Sequence, residues 1–149
     1  PGFNVSPLQV FKVPDTLTTQ AISANYAIFV SQRPETAEVD AVRSIVEGLT
    51  TSTMPLHFCG VSSSLAVSVI EACRREKLGN ITIGTCPRYL HFTSEMLSGA
   101  EDAGPVQATL AKCSPPVRNR HNQRMLVEGL SSGAITTIST LSLQVSFYS

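Results

Sequence analysis

The sequence predicts an α/β protein with a small parallel sheet. Short apolar segments and amphipathic helices follow one another in the order helix, strand, helix, strand, long loop, helix, strand. Strands that are joined by single helices pair in parallel, because the crossover returns the chain in the same direction. A complete eight-stranded barrel needs about 250 residues, so this chain is predicted to be part of a barrel or a small open sheet.

The composition excludes several classes of function. Hydrophobic residues make up 42% of the 149 residues, which is enough for a buried core. Eleven basic and eleven acidic residues cancel, so neither nucleic acid nor an anionic membrane surface is expected as a partner. No apolar segment approaches the roughly 18 residues that cross a bilayer, so no membrane span is expected.

The cysteine pattern gives an expectation about the compartment. The four cysteines lack the C-x-x-C spacing of a zinc or redox site, and the chain shows no secretory leader. We therefore expect reduced, small core residues and an intracellular, reducing compartment, either the cytoplasm or an organelle lumen. The missing initiator methionine leaves open that a further segment lies upstream.

Three regions are predicted along the chain. Residues 1–25 contain three prolines and no sustained period, which predicts an irregular N-terminal extension with a brief strand at Leu8–Val13. Residues 26–140 form the α/β domain, and residues 141–149 form an apolar, serine-rich C-terminal tail.

The first half of the domain contains one strand-helix unit. Tyr26–Val30 is a short apolar run, and Pro34 then opens a helix over Thr36–Leu49, whose apolar residues fall on one face. Leu56–Gly60 is predicted to be a buried strand, and the serines that follow it cap a helix that ends near Gly79.

The second half repeats this pattern with a longer loop. Asn80–Gly84 is predicted to be a strand, and Thr85–Leu90 a loop that leads to a short helix at Ser94–Leu97. Val106–Cys113 is predicted to be extended. Asn119 caps a helix to about Ser131, Gly133 ends that helix, and Ala134–Thr140 is the last strand.

Four segments of the domain carry an ordered set of motifs. Tyr26–Pro34 reads Tyr-Ala-Ile-Phe-Val-Ser-Gln-Arg-Pro and is followed by Glu38-Val-Asp-Ala-Val. The other three read Leu-His-Phe-Cys-Gly-Val-Ser-Ser (56–63), Gly-Thr-Cys-Pro-Arg-Tyr-Leu (84–90) and Lys-Cys-Ser-Pro-Pro-Val-Arg (112–118). Together they resemble the cyclic amidohydrolases, the family of allantoinase, hydantoinase/dihydropyrimidinase and dihydroorotase.

The resemblance implies a partial (β/α)8 barrel, of the TIM-barrel type, that contains about strands six to eight with their helices. In that family two divalent metals, usually zinc, activate a hydroxide that attacks a cyclic amide or ureide. Their ligands are a His-x-His pair, a carboxylated lysine, two further histidines and an aspartate. The first four of these precede the matched region, and the last two are expected inside it.

Both expected ligands are replaced in this sequence. Gly60 stands where the resemblance places the last histidine, and Leu141 stands where it places the aspartate. Neither residue can hold a metal. His57 lies three residues before Gly60, which on a regular strand puts it on the opposite face. We therefore assign no catalytic residue and no metal ligand, and expect no cofactor.

The resemblance also implies weaker differences and one retained feature. Gly84 and Arg88 replace a glutamate and a histidine of the family pattern, and His91 and His121 are expected to be surface or packing residues. Ser114 matches a serine that contacts the substrate ring in hydantoinase-like members, which makes it a candidate substrate-binding residue. We favour a structural role for this segment, in which two prolines stiffen the helix entry and Arg118 pairs locally.

Three functions remain open from the sequence. The favoured one is a non-catalytic, allantoinase-like structural or regulatory subunit of a larger assembly. An isolated half barrel exposes sheet edges and an inner face expected to be apolar, so other protein chains or a second copy are expected to cover it. The alternative is a segment of a metal-dependent cyclic amidohydrolase for allantoin, hydantoin or dihydroorotate, completed by another chain. The third is a small open α/β domain that binds a peptide or small ligand.

Overall fold

The structure is a computed structural model, and it describes residues 3–5, 26–48, 54–76, 80–98 and 112–140, with backbone only for 3–5. The predicted strand Leu8–Val13, the tail 141–149 with Leu141, and nearly all of the predicted extended segment Val106–Cys113 lie outside the described residues. No helix within the described ranges is long and apolar enough to cross a membrane.

The sheet has four parallel strands in sequence order: β1 (Phe3–Val5), β2 (Leu56–Phe58), β3 (Ile81–Thr85) and β4 (Thr137–Ile138). The three predicted strands are confirmed, although β2 and β4 are shorter than expected. Main-chain bonds from Thr136 to Ile83 and from Ser139 to Thr85 continue the pairing of β4 on both sides. The parallel arrangement follows from the helices that separate the strands.

Strand β1 was not predicted. It lies within the region expected to be irregular, and Phe3 pairs with Leu56, whose position in the chain is far away. Three residues are too few to show a strand period, and a distant partner leaves no local signal. The sheet therefore has one more strand than the sequence indicated.

Six helices surround this sheet in the described residues: α1 (Tyr26–Ser31), α2 (Glu35–Gly48), α3 (Ser64–Arg75), α4 (Pro87–His91), α5 (Ser94–Leu97) and α6 (Arg120–Ser132). The predicted helices α2, α3, α5 and α6 are confirmed, with α3 ending at Arg75 rather than near Gly79. Helix α4 replaces a predicted loop, because Pro87 is favourable in a first turn and five residues show no helical period.

Local capping explains where α3 and α6 begin and where α6 ends. The Ser63 side chain accepts a hydrogen bond from Ala66 N at the start of α3. The Asn119 side chain accepts one from Asn122 N at the start of α6. Gly133 ends α6 with φ +80°, a left-handed conformation that glycine adopts without a steric penalty. These caps were all readable from the sequence.

The two faces of the sheet differ in chemistry. Leu56 and Phe58 of β2, with Ile83 of β3, are buried with apolar residues of the helices, including Val42, Ile70 and Leu126. Side chains alternate along a strand, so His57 and Thr82 project from the other face, where they are only half-buried. The expectation of an apolar inner face is wrong for the described residues, because polar side chains line it.

Candidate functional site

A buried carboxylate organises the turn at the carboxyl end of β2. Glu38 lies on α2 and is 1% exposed. Its Oε1 accepts hydrogen bonds from the main-chain N–H of Ser62 at 2.8 Å and of Ser63 at 3.2 Å. Its Oε2 accepts one from the Ser62 hydroxyl at 2.9 Å. The carboxylate thereby satisfies main-chain donors that a helix start would otherwise leave unpaired.

Arg118 balances the charge of this carboxylate. Its Nη2 lies 3.2 Å from Glu38 Oε2, and both side chains are nearly inaccessible to solvent. The guanidinium also donates to the Ser62 hydroxyl at 3.3 Å and to the Arg33 carbonyl. The expectation that Arg118 pairs locally is wrong, because its partner lies 80 residues away in the sequence.

A second carboxylate extends the network to α6. Glu35 accepts a hydrogen bond from the Ser63 hydroxyl at 2.9 Å and from Asn122 Nδ2 at 2.6 Å. Asn122 Oδ1 in turn accepts one from Ser64 N at 2.7 Å. The start of α3 is therefore held by side chains of both α2 and α6. We call the set Glu35, Glu38, Ser62, Ser63, Arg118 and Asn122 the buried network.

Two tyrosines fix the proline-containing segment beside this network. The Tyr26 hydroxyl accepts a hydrogen bond from Val117 N at 2.8 Å and donates to Val117 O at 3.3 Å. The Tyr89 hydroxyl donates to Pro115 O at 2.9 Å. Burial raises the pKa of both phenols above their usual range, so both stay protonated and able to donate.

Ser114 lies at the exposed start of this segment, before a cis peptide bond to Pro115. The two prolines behind it are buried, as is Val117. The geometry therefore gives the segment the structural role that the prolines suggested, and the substrate role of Ser114 stays a prediction.

All four sequence motifs meet in this one region. Glu38 comes from the first motif, Ser62 from the second, Tyr89 from the third and Arg118 from the fourth. Sequence reasoning missed this convergence because it treated each motif as a separate strand-helix joint. The available signal was that each motif carries a polar residue next to a turn.

Gly60, which the resemblance predicts to replace a metal-binding histidine, has an unusual backbone conformation. Gly60 is buried and has φ +67°, in the left-handed region that other residues rarely adopt. A histidine at this position would require a strained or altered backbone. Leu141, which is predicted to replace the other ligand, lies outside the described residues.

His57 is held on the open face of the sheet, by hydroxyl groups of two other strands. Its Nδ1 lies 2.8 Å from Thr82 Oγ1, and its Nε2 lies 3.5 Å from Thr137 Oγ1. A Cβ placed on Gly84 would lie 2.9 Å from His57 Nε2 and 2.5 Å from Thr137 Oγ1. A larger residue at position 84 would therefore displace the Thr137 hydroxyl and the His57 ring. We call His57, Thr82, Gly84 and Thr137 the histidine clamp.

The described residues do not fit a two-metal centre. They contain no group of three or more histidine, cysteine, aspartate or glutamate side chains that could hold a metal ion. Glu38 and Glu35 are both engaged in the buried network, and His57 in its clamp. His91 and His121 are exposed, and the His91 ring stands edge-on to Phe92 with the ring centroids 4.7 Å apart.

Comparison with known proteins agrees with this fold. The chain is 32% identical over 132 residues to an allantoinase of Bacillus velezensis, an alignment that covers 82% of the chain. It is 34% identical over 107 residues to an allantoinase of Salmonella gallinarum, across 72% of the chain. The chain is homologous to one part of the cyclic amidohydrolases. No family model matches it.

Solved structures confirm the predicted fold class, a partial barrel of the TIM type. A dihydropyrimidinase from Brevibacillus agri superimposes with a TM-score of 0.69 at 27% identity, covering 85% of this chain and 27% of that one. The chain spans about a quarter of the two allantoinases as well, 27% and 22% of their lengths. The chain therefore belongs to the cyclic amidohydrolases and corresponds to about a quarter of the length of these relatives.

Proposed function

We propose that this chain is the carboxyl-side segment of a cyclic amidohydrolase barrel that is completed by residues outside the sequence, on another chain or elsewhere in the same one. The completed protein would hydrolyse a cyclic amide or ureide such as allantoin, a hydantoin or dihydroorotate. The observation that carries the proposal is that three of the four family-like motifs meet in the buried network with their donors and acceptors paired, while Tyr89 of the third motif donates to Pro115 beside it.

In this proposal the segment holds the turn after β2 in place and supplies no metal ligand. The buried network fixes the turn after β2, at the carboxyl edge where parallel α/β barrels carry their sites. A site built on such a turn needs its strand ends held within about half an ångström, which buried and fully paired side chains achieve. The metal ligands would come from the residues that complete the barrel.

The direct test is metal content and turnover of the natural assembly. The chain is purified together with whatever completes it, metals are quantified, and hydrolysis of allantoin, hydantoin and dihydroorotate is followed. The proposal expects bound metal and hydrolysis of at least one substrate. A complete assembly that holds no metal and hydrolyses none of the three contradicts it.

A second candidate is a non-catalytic structural or regulatory subunit, and Gly60 favours it. A glycine with φ +67° offers no ligand atom, and Leu141 offers none at the other replaced position. For this candidate the natural assembly is intact but contains no metal. The double substitution Gly60→His and Leu141→Asp then tests whether only these two ligands have been lost. Renewed metal binding in this variant shows that the other metal ligands of the assembly are still in place.

In both candidates the open face of the sheet is covered by further residues, from another chain or from elsewhere in the same one. The described strands leave the histidine clamp on a partly exposed face, and Ile138 of β4 is 53% exposed. We therefore expect the chain alone to dimerise or aggregate in light scattering. A monodisperse monomer would favour an independent small domain instead.

We further propose a reducing compartment for this protein. None of the four cysteines, which all lie within the described ranges, forms a disulfide with another. Mass spectrometry of the native protein after rapid thiol alkylation tests this, since four alkylated cysteines are expected.

A further inference from the structure

A cleft opens at the carboxyl edge of the sheet between β3 and β4. It has a volume of about 360 Å³ and is lined by Cys86, Pro87, Arg88, His91, Phe92 and Thr140. Cys86 directly follows β3, and Thr140 lies two residues after the end of β4. In parallel sheets, the crevice beyond the carboxyl ends of neighbouring strands is where ligands bind. No buried-network residue lines it.

The chemistry of the lining is specific. Pro87 and Phe92 supply apolar surface, Arg88 supplies a guanidinium, and no acidic residue is among the described residues that line the cleft. Arg88 forms no ion pair with a carboxylate of the described residues. A hydrogen bond between Arg88 and the Cys113 side chain keeps the pKa of the guanidinium above its usual value. That bond uses one of five donors and orients the group.

We infer that this cleft binds a small organic carboxylate, with Arg88 holding the carboxylate and the ring of Phe92 contacting an apolar body. A guanidinium matches a planar carboxylate with two parallel N–H donors. A bare inorganic anion would leave the apolar wall unused, and a neutral molecule would leave the charge of Arg88 unpaired. This inference is independent of whether the assembly hydrolyses a cyclic amide.

Benzoate is a suitable probe, because it combines a carboxylate with a flat apolar ring. Titration of the full chain by calorimetry or NMR is expected to give saturable benzoate binding. Benzamide, which has the same shape without charge, is expected to bind at least about tenfold more weakly, because it loses the charge-assisted contact with Arg88. Acetate and inorganic phosphate, which lack the ring, are also expected to bind at least about tenfold more weakly, because they lose the contact with the apolar wall. Equal affinity for phosphate would overturn the apolar half of the inference.

Two variants and one control locate the site. Arg88→Gln is expected to weaken benzoate binding at least about tenfold, while Arg88→Lys restores part of it. Arg124→Gln removes an exposed arginine of α6 outside the cleft and is expected to leave binding unchanged. Circular dichroism melts confirm that each variant is folded. Benzoate binding that is absent from the wild-type chain, or that is the same in Arg88→Gln and wild type, overturns the inference.

Discussion

The residues before and after the turn that follows β2 have different surroundings. On one side, Ser62 and Ser63 are fully buried and are held by hydrogen bonds to Glu38 and Arg118. On the other side, Gly60 offers no ligand atom, and His57 is bonded to threonines of β3 and β4. Residues that support the fold and residues that carry the chemistry are separable, even when they lie within five positions of each other.

The largest expected effect is on stability, because the buried network is predicted to contribute strongly to the free energy of unfolding. Glu38→Ala leaves the charge of the Arg118 guanidinium buried without a counter-charge, so we expect the free energy of unfolding to fall by about 3–5 kcal/mol. Urea unfolding of the full chain at one fixed protein concentration measures this change.

Asp40→Ala is the matched control, because Asp40 lies on the same helix but is exposed. Its effect is expected to stay within about 0.5 kcal/mol. If Glu38→Ala costs no more than Asp40→Ala, the buried network does not support the frame.

The histidine clamp gives the second test, on the open side. Gly84→Ala forces a Cβ against Thr137 Oγ1 and His57 Nε2, so a loss of about 1–3 kcal/mol is expected. The same substitution in a chain that already carries His57→Ala and Thr137→Ala is expected to cost much less, because the obstructing atoms are gone.

Gly48→Ala provides the control for changing a glycine. A Cβ at Gly48, the last residue of α2, meets nothing within 4 Å. Alanine is preferred to glycine in a helix, so this variant is expected to be neutral or more stable by up to about 1 kcal/mol. A Gly84→Ala penalty that persists in the doubly substituted chain would show that the clamp does not explain this glycine.

Tyr26 offers a test with a pH signature. Tyr26→Phe leaves Val117 N without its acceptor, with an expected loss of about 1–3 kcal/mol near neutral pH. The folded protein holds the phenol proton more tightly than the unfolded chain, because burial raises the pKa of Tyr26. Its stabilisation is therefore complete below the unfolded pKa of about 10 and falls as the pH rises above it.

Unfolding at a series of pH values from neutral to strongly alkaline measures this loss. Wild type is expected to lose stability more steeply above pH 10 than Tyr26→Phe. Identical slopes in the two proteins would mean that the Tyr26 phenol ionises equally well in the folded state.

Ser114 carries the smallest expected effect. Its side chain is exposed, so Ser114→Ala is expected to change the free energy of unfolding by less than about 0.5 kcal/mol. In a catalytically competent assembly we expect turnover to be unchanged too. A large loss of turnover at unchanged stability would instead show that Ser114 contacts the substrate.

The ends of the helices could be predicted from residues that lie close to them in the sequence. Asn119 and Gly133 bracket α6, and Ser63 starts α3, because caps depend on hydrogen bonds to residues within four positions. The short helix α4 and the strand β1 were not predicted, because five and three residues are too few for a period to emerge.

The sequence by itself determined the parallel α/β order, the capped helices and the family, and it predicts that two metal-ligand positions are replaced. Only the tertiary structure decided that Glu38 pairs with Arg118 across 80 residues, and that the Thr137 hydroxyl and the His57 ring occupy the space that a side chain at position 84 would need. It also decided that Gly60 adopts a left-handed conformation. The physical reason is range: capping and periodicity act between near neighbours, whereas buried pairs and cross-strand contacts exist only once distant segments are packed together.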